Sequence, residues 1–358
     1  MEYSQKLLFS LFTVFLLSEQ GSGGHNDNLL REFQPKKLYV FGDSYVDTGN
    51  IGISNFSSRK FPYGITFPGK PSGRFSDGRV LTDYVGKNMQ LVSRYLGLKP
   101  PIPFRVFKDL KRRQGRKNKN INGVNFAYGG TGVFNTSVSF PNMTTQIDLF
   151  HKFIDETDIQ SSIALVSVSG NDYSFYLARN GSLQGFKGFM ISVVDQIMWN
   201  LKRVHSLGVK KVVVTGLAPL GCLPHFTNSS SFTQCNSDIN SLVTFHNLLL
   251  NQSISKLNNN NETTTKNNTN FFILDMYASF MSIIFGNPKQ GGEKPLLLKP
   301  CCFGVSDGFS CGSVDEKGNK KFSLCEDPKS AFFWDSFHPT QQGWFAAFST
   351  LQSILKNL

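Results

Sequence analysis

Beyond residue 17, the 358-residue sequence lacks an apolar run long enough to span a membrane, and it contains no internal repeat. A transmembrane helix needs about 20 consecutive apolar residues, so we expect the mature chain to be soluble. Charged residues are also scarce, at 17% against 40% hydrophobic residues. This balance is typical of a globular chain, and the length allows one large α/β domain or two smaller ones.

The cysteine pattern lacks the repeated Cys-x-x-Cys motif and neighbouring histidine pair of a zinc site, so we expect no metal. All six cysteines lie in the C-terminal half: Cys222, Cys235, Cys301, Cys302, Cys311 and Cys325. In an oxidising compartment an even number predicts disulfide bonds. Cys222 and Cys235 are the natural local pair. The other four allow three pairings, of which a bond between the adjacent Cys301 and Cys302 is the least favoured.

The N-terminus has the order of a secretory signal peptide. Lys6 precedes an apolar run at residues 7–17, and Gly21, Gly23 and Gly24 follow. This order predicts a cleaved segment at 1–23 and a mature chain over 24–358. A buried N-terminal helix is the weaker alternative, because a polar, Gly-rich stretch follows the run. Eight Asn-x-Ser/Thr sequons agree with a secreted glycoprotein: Asn55, Asn135, Asn142, Asn180, Asn228, Asn251, Asn261 and Asn267.

The net charge of +12 is partly local. One segment carries a cluster of basic residues: Arg105, Lys108, Lys111, Arg112, Arg113, Arg116, Lys117 and Lys119. We expect this segment to be a solvated loop. Nucleic acid is not an expected partner, because no binding module accompanies the charge. The alternative is weak attraction to acidic cell-wall polymers or another anionic surface.

Short apolar runs predict strands, and segments with helical spacing lie between several of them. Five short runs have strand length and composition: residues 37–41, 121–127, 163–168, 209–215 and 271–274. Helical spacing covers residues 79–96, 190–207, 238–257 and 343–356. The alternation predicts an α/β fold with a mostly parallel sheet covered on both faces. In such sheets active groups collect beyond the carboxyl ends of the strands. The Asn- and Thr-rich stretch 258–270 predicts an exposed, glycosylated loop.

Ser44 and His338 are the candidate catalytic pair. Ser44 follows the first predicted strand at a strand-to-helix turn, where its N–H can bind negative charge. Taken alone, the serine could simply cap a helix. Asp335 stands three residues before His338, so its carboxylate can orient the imidazole and leave Nε2 free for a serine. This set predicts a nucleophile, a base and an orienting acid. Four further histidines are interpreted as structural: His151, His205, His225 and His246.

Ester cleavage by a serine also needs hydrogen-bond donors for the oxyanion. Gly130 can bring its backbone N–H close to a substrate, and Asn171 offers a side-chain N–H. With the Ser44 amide they form a candidate oxyanion hole. Gly129 could serve in place of Gly130, and Asn171 could instead be a turn residue.

Taken in order, these blocks resemble the plant GDSL esterase/lipase family, a branch of the SGNH hydrolases. The resemblance rests on Gly-Asp-Ser-x-x-Asp-Thr-Gly-Asn at 42–50 and on the segments 67–79, 125–130, 170–172, 216–224 and 333–340. It runs from about Leu38 to the C-terminus, and it implies a single hydrolase domain over 24–358. It implies a three-layer α/β/α flavodoxin-like fold with a mostly parallel five-stranded sheet, and the roles given above. Tyr128, which could alter the acyl pocket, and Gln341 depart from the family pattern.

The resemblance implies a secreted esterase or lipase without a cofactor, acting on small-molecule, lipid or acetylated-polysaccharide esters. Two other functions use the same scaffold: an acyltransferase, and a catalytically idle binding or defence protein. The segment 64–71 nearly spells a phosphate-binding loop, but Pro71 lacks the hydroxyl that such a loop needs. No Gly-x-Ser-x-Gly motif is present, which disfavours the α/β-hydrolase fold.

Overall fold

The computed structural model describes residues 35–52, 56–86, 100–114, 121–154, 159–259, 270–286 and 297–355. The predicted signal peptide, the sequons Asn55, Asn261 and Asn267, and most of the stretch 258–270 lie outside these residues. No helix in the described ranges is both long and apolar enough to cross a membrane.

A parallel sheet forms the centre of the fold. Its strands are β1 (Lys37–Gly42), β2 (Ile102–Pro103), β3 (Val124–Asn125), β4 (Ser162–Ser167), β5 (Lys211–Thr215) and β6 (Phe271–Leu274). The sheet order is β2-β3-β1-β4-β5-β6, so the prediction of five strands was one too few. All five predicted strands are present. The additional strand, β2, has only two residues beside Pro100 and Pro101, and it shows no apolar run that could reveal it.

The strand order explains where a site can form. Without β2, the order β3-β1-β4-β5-β6 is the flavodoxin-like arrangement that the resemblance implied. The chain passes from β1 to β3 on one side and then crosses to β4 on the other. Between the carboxyl ends of β1 and β4 the connections therefore diverge and leave a crevice, which is where parallel α/β sheets bind ligands.

The helices have these bounds: α1 (Leu81–Gly86), α2 (Phe104–Gln114), α3 (Met143–Phe153), α4 (Asn171–Ala178), α5 (Leu183–Ser206), α6 (Pro224–Thr227), α7 (Ser237–Asn259), α8 (Met276–Phe285) and α9 (Gln341–Leu355). The predicted helices at 190–207, 238–257 and 343–356 correspond to α5, α7 and α9. The one predicted at 79–96 is observed as α1, and residues 87–99 lie outside the described ranges.

Alternate strand residues supply two cores, one on each face of the sheet. Tyr39 and Phe41 of β1 face one core with α3, α5 and α7. Leu38 and Val40 face the other with α1, α8 and α9. This is the three-layer α/β/α arrangement, and it follows from the two-residue side-chain period of a strand whose both faces are covered.

The basic segment is a helix where it is described, and the expectation of a loop was wrong there. In α2, Phe104 and Phe107 are buried while Arg105, Lys108 and Arg112 are exposed. The two phenylalanines anchor one face of the helix by burial of apolar surface. Sequence reasoning followed the charges and missed this apolar spacing.

All six cysteines are paired, within the C-terminal half. The expected Cys222–Cys235 bond is present, and the open pairing resolves as Cys301–Cys325 and Cys302–Cys311. The last two bonds cross-link a small antiparallel pair, β7 (Cys302–Gly304) and β8 (Phe322–Leu324): Cys301–Cys325 ties the ends of the two strands together, and Cys302–Cys311 ties β7 to the connection between them. The Cys302 N–H donates to Trp334 O at 2.7 Å, so this cross-linked unit abuts the segment that carries Asp335.

Candidate active site

Ser44 stands just beyond β1 at the divergence of the connections. Asp43 begins a single turn in which the Asp47 N–H donates to Asp43 O at 2.9 Å, and no helix follows directly. The expected strand-to-helix turn is therefore a strand-to-loop turn. The Ser44 N–H has no acceptor among the described residues, as the prediction of an anion-binding amide requires.

The structure brings Ser44 and His338 together across 294 residues of chain. His338 Nε2 lies 2.9 Å from Ser44 Oγ. On the other side of the ring, His338 Nδ1 lies 2.8 Å and 3.0 Å from the two oxygens of Asp335. All three residues are buried. The sequence spacing between Asp335 and His338 indicated their contact, whereas nothing local indicated the contact between His338 and Ser44.

The Asp335 carboxylate is charged despite its burial. Burial by itself would raise the pKa of Asp335, but the charge and hydrogen bond of His338, with further donors, outweigh it and lower the pKa. Those donors are the Phe337 N–H at 2.8 Å, the His338 N–H at 2.9 Å and the Tyr63 hydroxyl at 2.7 Å. An ionised acceptor fixes the imidazole with Nδ1 protonated and Nε2 free to accept a proton.

Asp43, next to the serine, is a second buried carboxyl that the sequence reasoning did not single out. It accepts from the Ser169 N–H at 2.6 Å, the Ser169 hydroxyl at 3.0 Å and Asn171 Nδ2 at 3.2 Å. Burial raises the pKa of Asp43 to about 6, although these bonds act in the opposite direction. The contacts tie the end of β1 to the start of α4, where Asn171 is the first residue.

Asn171 and Gly130 face the same cavity as Ser44. Asn171 Nδ2 donates to Thr131 O at 3.0 Å as well as to Asp43, so both of its protons already have acceptors. The Gly129 N–H donates to Asp47 Oδ2 at 3.1 Å, whereas the Gly130 N–H has no acceptor among the described residues. Gly130 adopts φ +81°, a conformation that favours glycine. Between the two glycines, this geometry favours Gly130 as the oxyanion donor.

Buried side chains beneath the site hold its loops in place. Asp47 accepts from the N–H groups of Gly49 and Asn50 at 2.7 Å and 2.8 Å as well as from Gly129. Burial raises the pKa of Asp47 to about 6. Asp172 accepts from the N–H groups of Val133 and Phe134. These carboxyls order the glycine loop, and only their place in short polar motifs could have pointed to them.

A cavity of about 470 Å³ opens beside Ser44 and His338. Its polar end holds Ser44, Asn171 and His338. The rest of its wall is mainly apolar and comes from α4, α5, α6, α7 and the turn after β5, through Leu177, Phe186, Met190, Leu217, Leu220, Leu223, Phe226, Ile239, Leu242 and Val243. The site thus joins a charged hydrogen-bonded pair to a mainly apolar pocket.

Of the other residues that the sequence analysis named, some have a structural role and one lines the cavity. His246 is buried beside the Tyr173 hydroxyl at 2.6 Å, and burial lowers its pKa to about 4, in accord with a structural role. His225 was expected to be structural too, but its ring lines the cavity and packs on Phe337 with 4.8 Å between ring centroids. Tyr128 stacks on Phe140 and is absent from the described cavity wall.

Two separate regions hold the His338 loop. From the N-terminal half, the Ser76 hydroxyl donates to Pro339 O at 3.1 Å, and Asp77 accepts from the Gln341 N–H at 2.6 Å. From the C-terminal half, Cys301 and Cys302 donate their N–H groups to the segment before Asp335. Gln341, the departure from the family pattern, accepts from the Arg79 N–H at 3.1 Å.

Known proteins match this sequence along nearly the whole chain. Residues 38–349 match the family described as GDSL-like Lipase/Acylhydrolase. A GDSL esterase/lipase of Arabidopsis thaliana is 50% identical over 366 residues, which cover 98% of this chain and 97% of the relative. A second Arabidopsis thaliana GDSL esterase/lipase is 46% identical over 362 residues, with coverage of 98% and 96%. A solved catalytic mutant of an acetylxylan esterase from Geobacillus stearothermophilus is 13% identical, with coverage of 90% of this chain and 95% of that chain and a TM-score of 0.41.

Proposed function

Because this chain belongs to the GDSL-like lipase/acylhydrolase family, we propose that it is a secreted serine esterase that hydrolyses carboxylic esters through an acyl intermediate on Ser44. The observation that carries the proposal is the 2.9 Å distance between Ser44 Oγ and His338 Nε2, with Asp335 on the other ring nitrogen. A hydroxyl, a base and an orienting carboxylate in this geometry suit nucleophilic acyl transfer.

The proposed reaction has two halves. Ser44 Oγ attacks the ester carbonyl as its proton passes to His338 Nε2, and the tetrahedral adduct then breaks its bond to the alcohol, which leaves with that proton. Water next attacks the carbonyl carbon of acyl-Ser44 while His338 accepts a proton from the water, and a second tetrahedral adduct forms. Collapse of the second adduct releases the carboxylic acid and returns the proton to Ser44.

Three donors serve the oxyanion in this proposal: the Ser44 N–H, the Gly130 N–H and the Asn171 side chain. The two backbone groups have no acceptor among the described residues, which supports their availability. Asn171 must exchange its bond to Asp43 or to Thr131 O for a bond to the oxyanion. Removal of one such donor typically costs about 3 kcal/mol of transition-state stabilisation.

The shape of the cavity supports esters with an apolar acyl group longer than acetyl. Its volume of about 470 Å³ is within the usual range of ligand pockets. An acetyl group would leave most of its apolar wall in contact with water, whereas a longer chain would replace that water. We therefore expect kcat/KM to rise with acyl chain length from two carbons before it falls.

Labelling and turnover test the proposed function together. A fluorophosphonate probe should label Ser44 in the glycosylated, oxidised protein and should not label Ser44→Ala. The protein should also cleave aryl esters in a series of chain lengths. Absence of both labelling and turnover would favour the idle binding protein. Supply of an alcohol acceptor distinguishes the transferase, which would form new esters at a rate that competes with hydrolysis.

Export is the second part of the proposal. Three disulfides within the described residues and eight sequons support it, together with the order of residues 1–23. We expect a mature N-terminus near residue 24 and a glycosidase-sensitive mass. Sequencing of the mature N-terminus and a gel-shift after glycosidase treatment check both. Salt-dependent attraction of the basic helix α2 to acidic polysaccharide remains a minor part of this proposal.

A further inference from the structure

A tyrosine from a distant loop contacts the carboxylate that orients the imidazole. The Tyr63 hydroxyl donates to Asp335 Oδ2 at 2.7 Å, across a separation of 272 residues. Tyr63 is 3% exposed and Asp335 is 6% exposed. A hydrogen bond to an ionised acceptor is stronger than one between neutral groups, and burial strengthens it further.

The two oxygens of Asp335 do not have equivalent partners. Oδ1 accepts from the N–H groups of Phe337 and His338, and it is the oxygen closer to His338 Nδ1. Oδ2 shares the same imidazole proton at 3.0 Å, and Tyr63 is its other donor within the described ranges. Without the Tyr63 hydroxyl, a buried charged oxygen would keep only one shared and longer hydrogen bond.

The ring of Tyr63 is fixed by its surroundings. It packs edge-on against Trp334 with 5.8 Å between ring centroids, and against Phe75 with 6.5 Å. Phe75 in turn lies against the His338 ring at 5.1 Å. The hydroxyl therefore reaches Asp335 from a rigid direction, and Tyr63 itself is not among the described residues that line the cavity.

The charged state of the hydroxyl is also settled by its environment. Burial and the neighbouring Asp335 carboxylate raise the pKa of Tyr63 well above its ordinary value. The titratable groups around this contact are Asp335, His338, Tyr45 and Asp43. In the working range of an imidazole base, Tyr63 is neutral, so its hydroxyl can give its proton to the hydrogen bond with Asp335.

We propose that Tyr63 is a positioning residue whose hydroxyl holds Asp335 Oδ2 and thereby sets both the orientation and the basicity of His338. This inference rests on the proposed esterase function for its kinetic test. Removal of the donor concentrates negative charge on the carboxylate. The imidazolium then becomes more stable, so the acid limb of the pH profile moves to higher pH.

The kinetic test uses Tyr63→Phe, with Tyr84→Phe as a matched control. The Tyr84 hydroxyl also donates to the C-terminal segment, to Gln341 O at 2.8 Å, but it does not contact the catalytic set. We expect Tyr63→Phe to lower kcat about 10- to 100-fold with little change in KM. The acid limb of its pH profile should lie at higher pH than that of the wild type. The control should leave both unchanged. If the wild type is active and Tyr63→Phe has the same kcat and pH profile, this inference alone is overturned. If the wild type itself is inactive, the proposed function is overturned.

A double-mutant cycle separates an effect through Asp335 from general loosening of the fold. In an Asp335→Asn background, Tyr63→Phe should change kcat by less than about twofold, because the carboxylate on which it acts is gone. An equal loss in both backgrounds contradicts the inference.

A measurement without substrate keeps the inference testable whatever the turnover. The downfield proton resonance of His338 Nδ1 should shift in Tyr63→Phe and stay in place in Tyr84→Phe. If Tyr63→Phe does not fold, 3-fluorotyrosine at position 63 keeps the ring and makes the hydroxyl a stronger donor. In that protein the acid limb of the pH profile should lie at lower pH than in the wild type. If neither the acid limb nor the His338 Nδ1 resonance changes, the inference is overturned.

Discussion

The serine side of the site and its acid–base side are held by different means. The serine side comprises Ser44, Gly130 and Asn171, which follow β1, β3 and β4 and are fixed by the parallel sheet and by Asp43. The acid–base side comprises Asp335 and His338, on a loop held by the disulfide unit, by residues 63–77 and by the start of α9. The first side depends on hydrogen bonds of the sheet. The second depends on backbone and side-chain hydrogen bonds from distant segments, one of which is cross-linked by its own disulfides.

This difference shows how a parallel sheet can host chemistry that one region alone could not supply. The carboxyl ends of adjacent parallel strands lie at one edge of the sheet, so they bring the hydroxyl and the candidate hydrogen-bond donors for an oxyanion together. A base must come from elsewhere, and a loop needs additional constraints because its backbone has no ladder of hydrogen bonds. Each of the following experiments disturbs one side and asks whether the other survives.

The largest expected effect comes from the serine side itself. Ser44→Ala should reduce kcat by about 10⁶-fold, because the nucleophile and its base act as one unit. The fold and melting temperature should stay close to wild type, since the change removes one oxygen from a cavity wall. Ester hydrolysis and circular dichroism measure the two quantities. A variant that retains even a tenth of the activity contradicts Ser44 as nucleophile.

The next effect tests the acid–base side. Asp335→Asn should lower kcat by about 10⁴-fold, because an amide favours the wrong imidazole tautomer without changing shape. The serine side should remain intact, so a boronic acid that coordinates Ser44 should still bind, though more weakly. If turnover falls by less than about tenfold, the carboxylate does not orient the base.

The two kinds of disulfide sharpen the comparison. Replacement of Cys302 and Cys311 by serine, or of Cys222 and Cys235, should each cost about 3 kcal/mol of stability, because the closed loops are of similar length. The first change should lower kcat, since Cys302 abuts the segment before Asp335. The second should mainly raise KM, since Leu223 and His225 line the cavity. Urea unfolding and steady-state kinetics measure both, and identical kinetic profiles would contradict the division.

The smallest expected effect concerns the buried carboxyl on the serine side. The pKa of Asp43 is about 6 in the folded protein against 3.8 ordinarily, so the folded state holds its proton over a range in which the unfolded chain has lost it. Stability from this group is therefore complete below about pH 4 and is lost as pH rises through about 6, by at most about 3 kcal/mol.

Urea unfolding across that pH range measures this loss. Asp47 shifts in the same direction, so the comparison of wild type with Asp43→Asn isolates the share of Asp43. The asparagine does not titrate, and the variant should lose less stability between about pH 4 and 7. Parallel curves for the two proteins would show that Asp43 stays charged throughout.

Turnover should also fall in acid, because only a neutral imidazole can accept the Ser44 proton. We expect this fall for wild type in kcat/KM, and a flat profile between about pH 5 and 8 would count against His338 as the base. Protonation of Asp43 should make kcat/KM fall more steeply, because a neutral carboxyl forms a weaker hydrogen bond with Asn171 Nδ2. The Asp43→Asn variant should therefore show a shallower acid limb at reduced activity.

Much of this protein was determined by local sequence. Short apolar runs predicted five of the six sheet strands, and helical spacing predicted the helices α5, α7 and α9, because buried strands and the buried faces of helices are apolar. The three-residue spacing of Asp335 and His338 predicted their contact, because two side chains so close in sequence can meet within one turn of the chain. The pairing of Cys222 with Cys235 was also a short-range matter, since a loop of that length closes at modest entropic cost.

Only the tertiary structure decided what depends on distant residues. The two-residue strand β2, the pairing of Cys301 with Cys325, and the contact of Tyr63 with Asp335 leave no periodic trace in the chain. The helix α2 was missed because its charges masked two anchoring phenylalanines. The cavity wall gathers side chains from several helices that share no motif. These features arise because packing brings together segments hundreds of residues apart, and such contacts are settled by the whole fold rather than by any stretch of it.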